Sequence, residues 1–148
     1  MKQTYSFDDV LLVPQKSNIK SRSEVDISSN LSKNNFRLPV IASPMDTISG
    51  TRMAVEMSKQ GALAVLHRYN TIAEQAEMVS YIKDVKRETK IAAAVGMTGD
   101  YFDRAVNLYE AGARILCVDV AHGHHSMMEK CLKKLKDAFG EAVHIMAG

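Results

Sequence analysis

Five short apolar runs recur along the chain, separated by segments whose apolar residues fall at helical spacing. The runs cover residues 38–43, 62–67, 91–95, 115–119 and 142–146. Each is continuous rather than alternating, as expected of parallel strands buried on both faces. Their starts lie 24 to 29 residues apart, the length of one strand–helix unit. The segments between them carry helix punctuation. Thr71 and Glu74 form a capping-box pair, and Ile72, Val79, Ile82 and Val85 follow on one face. Phe102, Val106 and Tyr109 mark the next stripe, and Met128, Cys131, Leu132, Leu135 and Phe139 the last. Gly61, Gly112 and Gly140 stand where those helices should end.

Repeated strand–helix units with no change of pattern predict an α/β fold built on a parallel sheet. Periodicity alone does not separate an open doubly wound sheet from a closed barrel. A (β/α)₈ barrel needs eight units and ~250 residues, so on that reading the chain holds about the first five strands. The outer strands would then expose Leu38, Val40, Val143 and Ile145 along open edges. The first 37 residues differ in character. Residues 7–14 read as a short strand stopped by Pro14, and the polar stretch 15–35 as an extended segment packed outside the α/β unit. No linker marks a second domain, so residues 1–148 are taken as one unit.

Composition narrows the function classes. Apolar residues make up 46% and charged residues 24%, with a formal net charge of +2. That charge is too small to argue for nucleic acid or an anionic membrane. Lys130, Lys133, Lys134 and Lys136 fall at helical spacing and read as a solvated face. No stretch approaches the ~18 apolar residues of a membrane span, and the start has no apolar signal core. Cys117 and Cys131 show no ligand or disulfide spacing, which suits a reducing cytoplasm.

Chemistry in a parallel α/β protein gathers at the C-terminal ends of strands. Those ends carry Ser43 to Thr47, His67 and Arg68, Gly96 to Gly99, Asp119 to His125, and Gly148. All are polar or glycine-rich, although the strands are apolar. Asp119 is the sharpest of them. A carboxylate ending an apolar run is costly to bury unpaired; it suits either ribose hydroxyls, a helix cap, or a salt bridge to a neighbouring arginine. His122, His124 and His125 allow a metal reading, but no Asp, Glu or Cys joins them at ligand spacing. Gly123 suggests instead a turn that brings backbone close to a ligand. Cys117 shares the Asp119 face and Cys131 belongs to a helix stripe, so both read as core. The chain contains no GxGxxG, P-loop or GxSxG motif.

Seven stretches resemble, in order, the IMP dehydrogenase/GMP reductase family. They are FDDVLLVP (7–14), KSRSEVD (20–26), ASPMDT (42–47), LHR (66–68), AVGMTG (94–99), DVAHGH (119–124) and IMAG (145–148). The resemblance implies a (β/α)₈ barrel, usually a tetramer. It also implies a cytoplasmic enzyme of purine metabolism that moves hydride between purine C2 of a nucleoside monophosphate and a nicotinamide cofactor. The dehydrogenase branch takes IMP to xanthosine monophosphate with NAD and water, toward GMP biosynthesis. The reductase branch takes GMP to IMP with NADPH and releases ammonia. In either branch a cysteine on the loop after the sixth strand attacks C2.

On this pattern Ser43 and Met45 match nucleotide contacts, and Asp119, Val120 and Ala121 match the nicotinamide–ribose segment. Arg68 stands where reductases carry a cofactor-contacting lysine. Ser21 and Arg22 match a reductase pair that reaches a neighbouring subunit's cofactor. The cysteine loop, the potassium-binding loop and the phosphate-binding strands follow the family's Gly-Asn, beyond Gly148. On that pattern the chain alone is expected to be inactive, with a complementary C-terminal half or a homo-oligomer as its partner; the alternative from another class is a non-catalytic remnant or assembly subunit. Ser43-Pro44 before Met45, together with residues 61–67 and 94–99, leans to the dehydrogenase. Residues 20–26, Asp119 to Ala121, and the lack of a nucleotide-sensing CBS insert between Val85 and Ile91 lean to the reductase. The balance falls on the dehydrogenase.

Overall fold

The computed structural model describes residues 2–148. It contains a small antiparallel hairpin, β1 (Ser29–Leu31) with β2 (Asn34–Phe36), and a five-stranded parallel sheet. The sheet strands are β3 (Ile41–Ala42), β4 (Leu63–Leu66), β5 (Ala92–Val95), β6 (Ile115–Val118) and β7 (His144–Ala147). Helices α1 (Thr51–Lys59), α2 (Ile72–Val85), α3 (Tyr101–Ala111) and α4 (Ser126–Phe139) alternate with them. The expected α/β class and parallel sheet are present.

The strand order β3-β4-β5-β6-β7 follows the chain without reversal. Doubly wound sheets reverse order and carry helices on both faces; here the helices share one face. Ala64, Leu66, Ala93, Val95, Leu116 and Val118 pack there against residues of all four helices. The alternate residues Leu63, Val65, Ala92, Ala94, Ile115 and Cys117 point to the other face. They form a second buried cluster with Phe36, flanked by Leu31 and Met146. Among the described residues none from the four helices belongs to it. The β1–β2 hairpin therefore closes the N-terminal end of this inner face, with Phe36 as its plug. Lys90 holds the hairpin by bonding Asn35 O at 2.9 Å, its Nζ 5.0 Å from the Phe36 ring centre.

The helices begin and end for local reasons. The Thr71 hydroxyl accepts from Glu74 N at 3.2 Å while Glu74 Oε2 accepts from Thr71 N at 2.8 Å. The expected capping box is formed. These bonds hold the Glu74 carboxyl below the usual carboxylate range. Thr71→Ala is expected to lower stability by about 0.5–2 kcal/mol, read as a denaturant midpoint. Because a depressed carboxylate stabilises above its ordinary pKa and loses that effect as pH falls through the lowered one, the deficit should shrink on acidification. Gly61 ends α1 at φ +77°, a region that excludes most side chains, and a Cβ there would sit 2.8 Å from Arg37 Cβ.

Several expectations need correction. Residues 7–14 form no strand: Phe7, Leu11 and Leu12 are almost fully exposed. An apolar run becomes a strand only with a partner, and no described segment lies alongside. Residues 15–28 are exposed rather than packed on the unit, holding only a 3-10 turn at Arg22–Glu24. Within 29–36 the extended reading gives way to the hairpin. The first sheet strand shrinks to Ile41–Ala42, because Pro39 has no N–H to offer a ladder. On α2, Val85 is exposed and Gln75 is buried in its stead. The buried face of α3 is Arg104, Ala105 and Leu108, with Phe102, Val106 and Tyr109 on its flanks.

Candidate functional site

Parallel strands bring all their C-terminal ends to one side, so Ser43, His67, Gly96, Asp119 and Gly148 meet there. Backbone bonds fix their heights: Asp119 N donates to Val95 O at 2.9 Å and Gly148 N to Val118 O at 3.0 Å. Between the ends of β4, β5 and β6 lies a cleft of about 270 Å³. Arg68, Gly96, Thr98, Arg104, Val120 and Ala121 are among its walls.

Arg68 crosses this cleft. Its Nη2 donates to Asp119 O at 3.1 Å, and its Nε lies 3.5 Å from Asp119 Oδ2. That second approach is an ion pair by distance but is not aligned as a hydrogen bond. Nε is buried and has no hydrogen-bond partner among the described residues. Both side chains are about a third exposed (33% and 30%). Of the roles open to Asp119, the salt bridge to an arginine is the one formed. Arg104 pairs with Asp100 at 2.9 Å deeper in the same cleft. With Arg68 paired to Asp119 and Arg104 to Asp100, the cleft is close to neutral, suited to hydroxyl or amide groups rather than to a bare phosphate.

The other expected site residues are not among the walls of this cleft. Ser43 and Met45 sit on the turn after β3, with Met45 about half exposed. Ser49, which drew no attention in the sequence, is fully buried beneath them. Its hydroxyl donates to Ser43 O, and its own carbonyl accepts from His67 N at 3.2 Å. It thereby ties this turn to the end of β4. Ser21 and Arg22 lie on the exposed N-terminal arm, where the Ser21 hydroxyl accepts from Ser23 N and caps the 3-10 turn. Within this chain they do not approach the cleft residues.

The histidine loop is spent locally. His125 Nδ1 accepts from Met127 N at 3.1 Å and caps α4. Among the described residues no three His, Cys, Asp or Glu side chains converge as a metal site. Gly123 approaches backbone as its turn suggested, but the backbone is this chain's own: a Cβ there would overlap the Gly148 carbonyl oxygen. Cys117 lies in the inner cluster and Cys131 on the buried face of α4. Burial raises both thiols, with the Asp119 charge adding to the rise at Cys117. Neither has the electropositive, open setting of a reactive thiolate. No helix among the described residues is long and apolar enough to cross a membrane.

Residues 4–148 match the family model described as the IMP dehydrogenase / GMP reductase domain. The chain belongs to that family. A GMP reductase of Streptococcus pyogenes serotype M49 (strain NZ131) is 30% identical over 145 residues, covering 97% of this chain and 43% of that protein. A GMP reductase of Streptococcus pneumoniae (strain JJA) is 31% identical over 140 residues, covering 91% and 42%. The chain thus spans less than half the length of these relatives. Arg68, Gly96, Met97, Thr98, Val120 and Ala121 of the cleft fall in the stretches 66–68, 94–99 and 119–124 that carry the resemblance, whereas its Asp100 and Arg104 do not.

Proposed function

We propose that this chain forms the cofactor-side wall and part of the nucleotide pocket of a purine nucleotide oxidoreductase, as the amino-terminal part of a (β/α)₈ barrel. The observation that carries the reading is the Arg68–Asp119 pair across a near-neutral cleft at the strand C-termini. A nicotinamide dinucleotide suits that cleft, because the buried, unpartnered Nε of Arg68 offers a donor and Asp119 an acceptor for ribose hydroxyls. Val120 and Ala121 supply an apolar shelf beside them. Ser43 and Met45 lie one strand further along, where the purine nucleotide would rest. When bound, the nicotinamide ring supplies the hydride acceptor or donor. The chain's own residues orient it and limit water.

The nucleophile comes from elsewhere. Both thiols described here are raised by burial, so the cysteine that attacks purine C2 belongs to a loop outside these residues, with the potassium site. A complementary barrel half completes the enzyme, and homo-oligomer contacts bring Ser21 and Arg22 to a neighbour's cofactor.

GMP reduction with NADPH is the branch supported by the streptococcal relatives, both named GMP reductase. The sequence balance favoured the dehydrogenase. That second reading, IMP to xanthosine monophosphate with NAD, rests on Ser43-Pro44 ahead of Met45. The test is spectrophotometric. The chain is mixed with GMP and NADPH, or with IMP and NAD, alone and with a complementary C-terminal half. Turnover is expected only with the second half present, and with GMP. Turnover by the chain alone, lost on Cys117→Ser, would overturn the proposal. Turnover of IMP alone would move it to the dehydrogenase branch.

A further inference from the structure

Beneath the cleft lies a polar assembly that no motif announces. Arg104 of α3 is 7% exposed, and it makes four hydrogen bonds to three separate pieces of chain. Nη1 donates to Gln75 Oε1 at 2.8 Å and to Asn70 Oδ1 at 3.5 Å. Nη2 donates to Asn70 O at 3.0 Å and to Asp100 Oδ2 at 2.9 Å. Gln75, fully buried on α2, passes the connection inward by donating Nε2 to Ala94 O at 2.9 Å. One guanidinium therefore joins the turn after β4, the start of α2, the start of α3 and the middle of β5.

A buried ion of this kind is a poor way to gain stability. Replacing such pairs with apolar side chains of similar volume is often neutral or stabilising. What a planar fork of donors adds is direction. The segments it directs are those that aim Arg68. Asn70 lies on the same turn as Arg68, and Ala94 lies on the strand leading to Gly96. Arg68 runs over Gly96, where a Cβ would stand 3.7 Å from Nη1, before its Nη2 reaches Asp119 O. A shift of either segment would move the Arg68 guanidinium relative to Asp119.

We propose that Arg104 is a positioning residue, acting through Asn70 and Gln75 to hold Arg68 against Asp119. Its bearing on cofactor use rests on the reading of this cleft given above. Arg104 makes no hydrogen bond to Arg68 or Asp119; it fixes the backbone from which Arg68 projects. Lysine keeps the charge but has no fork, so it can satisfy Asp100 while leaving Asn70 or Gln75 unpaired.

The proposal is tested by NMR of the arginine side chains in the labelled chain completed with an unlabelled C-terminal half, with the Arg68 Nη resonances assigned through Arg68→Lys. In Arg104→Lys, exchange of the Arg68 Nη2 protons, which bond Asp119 O, is expected to quicken by about tenfold or more, the equivalent of losing one hydrogen bond to a charged group. Gln75→Met should move it in the same direction by less. In a barrel completed with a C-terminal half, Arg104→Lys should raise the cofactor KM more than it lowers kcat, with the nucleotide KM unchanged. A lowered melting temperature with Arg68 exchange unaltered would make Arg104 a structural ion only and overturn the proposal. Where Arg104→Lys fails to fold, Gln75→Met decides by the same resonance. Altered Arg68 exchange with an unchanged cofactor KM would uphold the coupling and overturn the cofactor reading of the cleft.

Discussion

Purified at micromolar concentration, the chain is expected to self-associate or precipitate and to bind an exposed-hydrophobe dye. A complementary C-terminal half should suppress both effects. The strand order leaves β3 and β7 with one partner each, and an unpaired strand edge is a template for further pairing. The two edges are unequal. Val143 is buried and Ile145 half-buried under α4, so β7 does not expose these two residues as the sequence led one to expect. At the other edge Val40 and Ile41 are 48% and 44% exposed, and Met45, Ile48 and Met53 continue the apolar surface onto α1. Phe7, Leu11 and Leu12 of the arm are almost fully exposed as well. Burying one such side chain is worth about 1.5–3 kcal/mol. Several together rival the ~5–15 kcal/mol of a whole domain. Association should therefore run through β3, and Ile41→Lys should weaken it more than a charge placed in β7. Sedimentation and dye fluorescence read both effects. A cooperatively melting monomer that binds no dye would refute this account of the energetics.

The parallel sheet was legible because each strand is buried on both faces and so writes a continuous apolar run. The runs at 62–67, 91–95 and 115–119 survive almost unchanged, since β4, β5 and β6 are flanked by strands on both sides. The end runs were less readable. Residues 38–43 shorten around Pro39, and 142–146 shifts because β7 starts where His144 aligns with Ile115. Helix α4 was read well because its stripe of Met128, Cys131 and Leu135 faces one surface. Helix α3 packs against both α2 and β5, so small Ala105 and the charged Arg104 take the buried face. A pattern that scores arginine as polar cannot find that. Of the partners of Arg104 only Asp100 is local, four positions before it; Gln75 and Asn70 lie 29 and 34 positions away, so no local spacing signals the network. The arm misled for the opposite reason: its apolar residues imply a partner that the described residues do not supply. In the site, Asp119 and Arg68 were each singled out, but their pairing follows from β4 and β6 flanking β5, a tertiary fact.

In a barrel completed with a C-terminal half, Asp119→Ala is expected to lower kcat/KM for the nicotinamide cofactor by roughly ten- to a hundredfold. The basis is loss of one charge-assisted hydrogen bond, about 1.5–3 kcal/mol, at ~1.4 kcal/mol per tenfold. A folding defect cannot imitate this. The Arg68–Asp119 pair is about a third exposed on each side, and pairs that meet water contribute about 0–1 kcal/mol to stability. The backbone bond from Arg68 to Asp119 O also survives the substitution. Two mechanisms remain, and a double-mutant cycle separates them. If Asp119 acts by accepting from the ribose, Asp119→Ala is as damaging in an Arg68→Met background as in the parent. If Asp119 acts by holding Arg68 against the cofactor, the two losses overlap and the double variant is little worse than either single one. Asp119→Asn, which keeps an acceptor but removes the charge, should fall between parent and alanine in both cases. An Asp119→Ala enzyme with the parent's cofactor dependence and a slightly lower melting temperature would reduce the pair to a surface tie between the ends of β4 and β6.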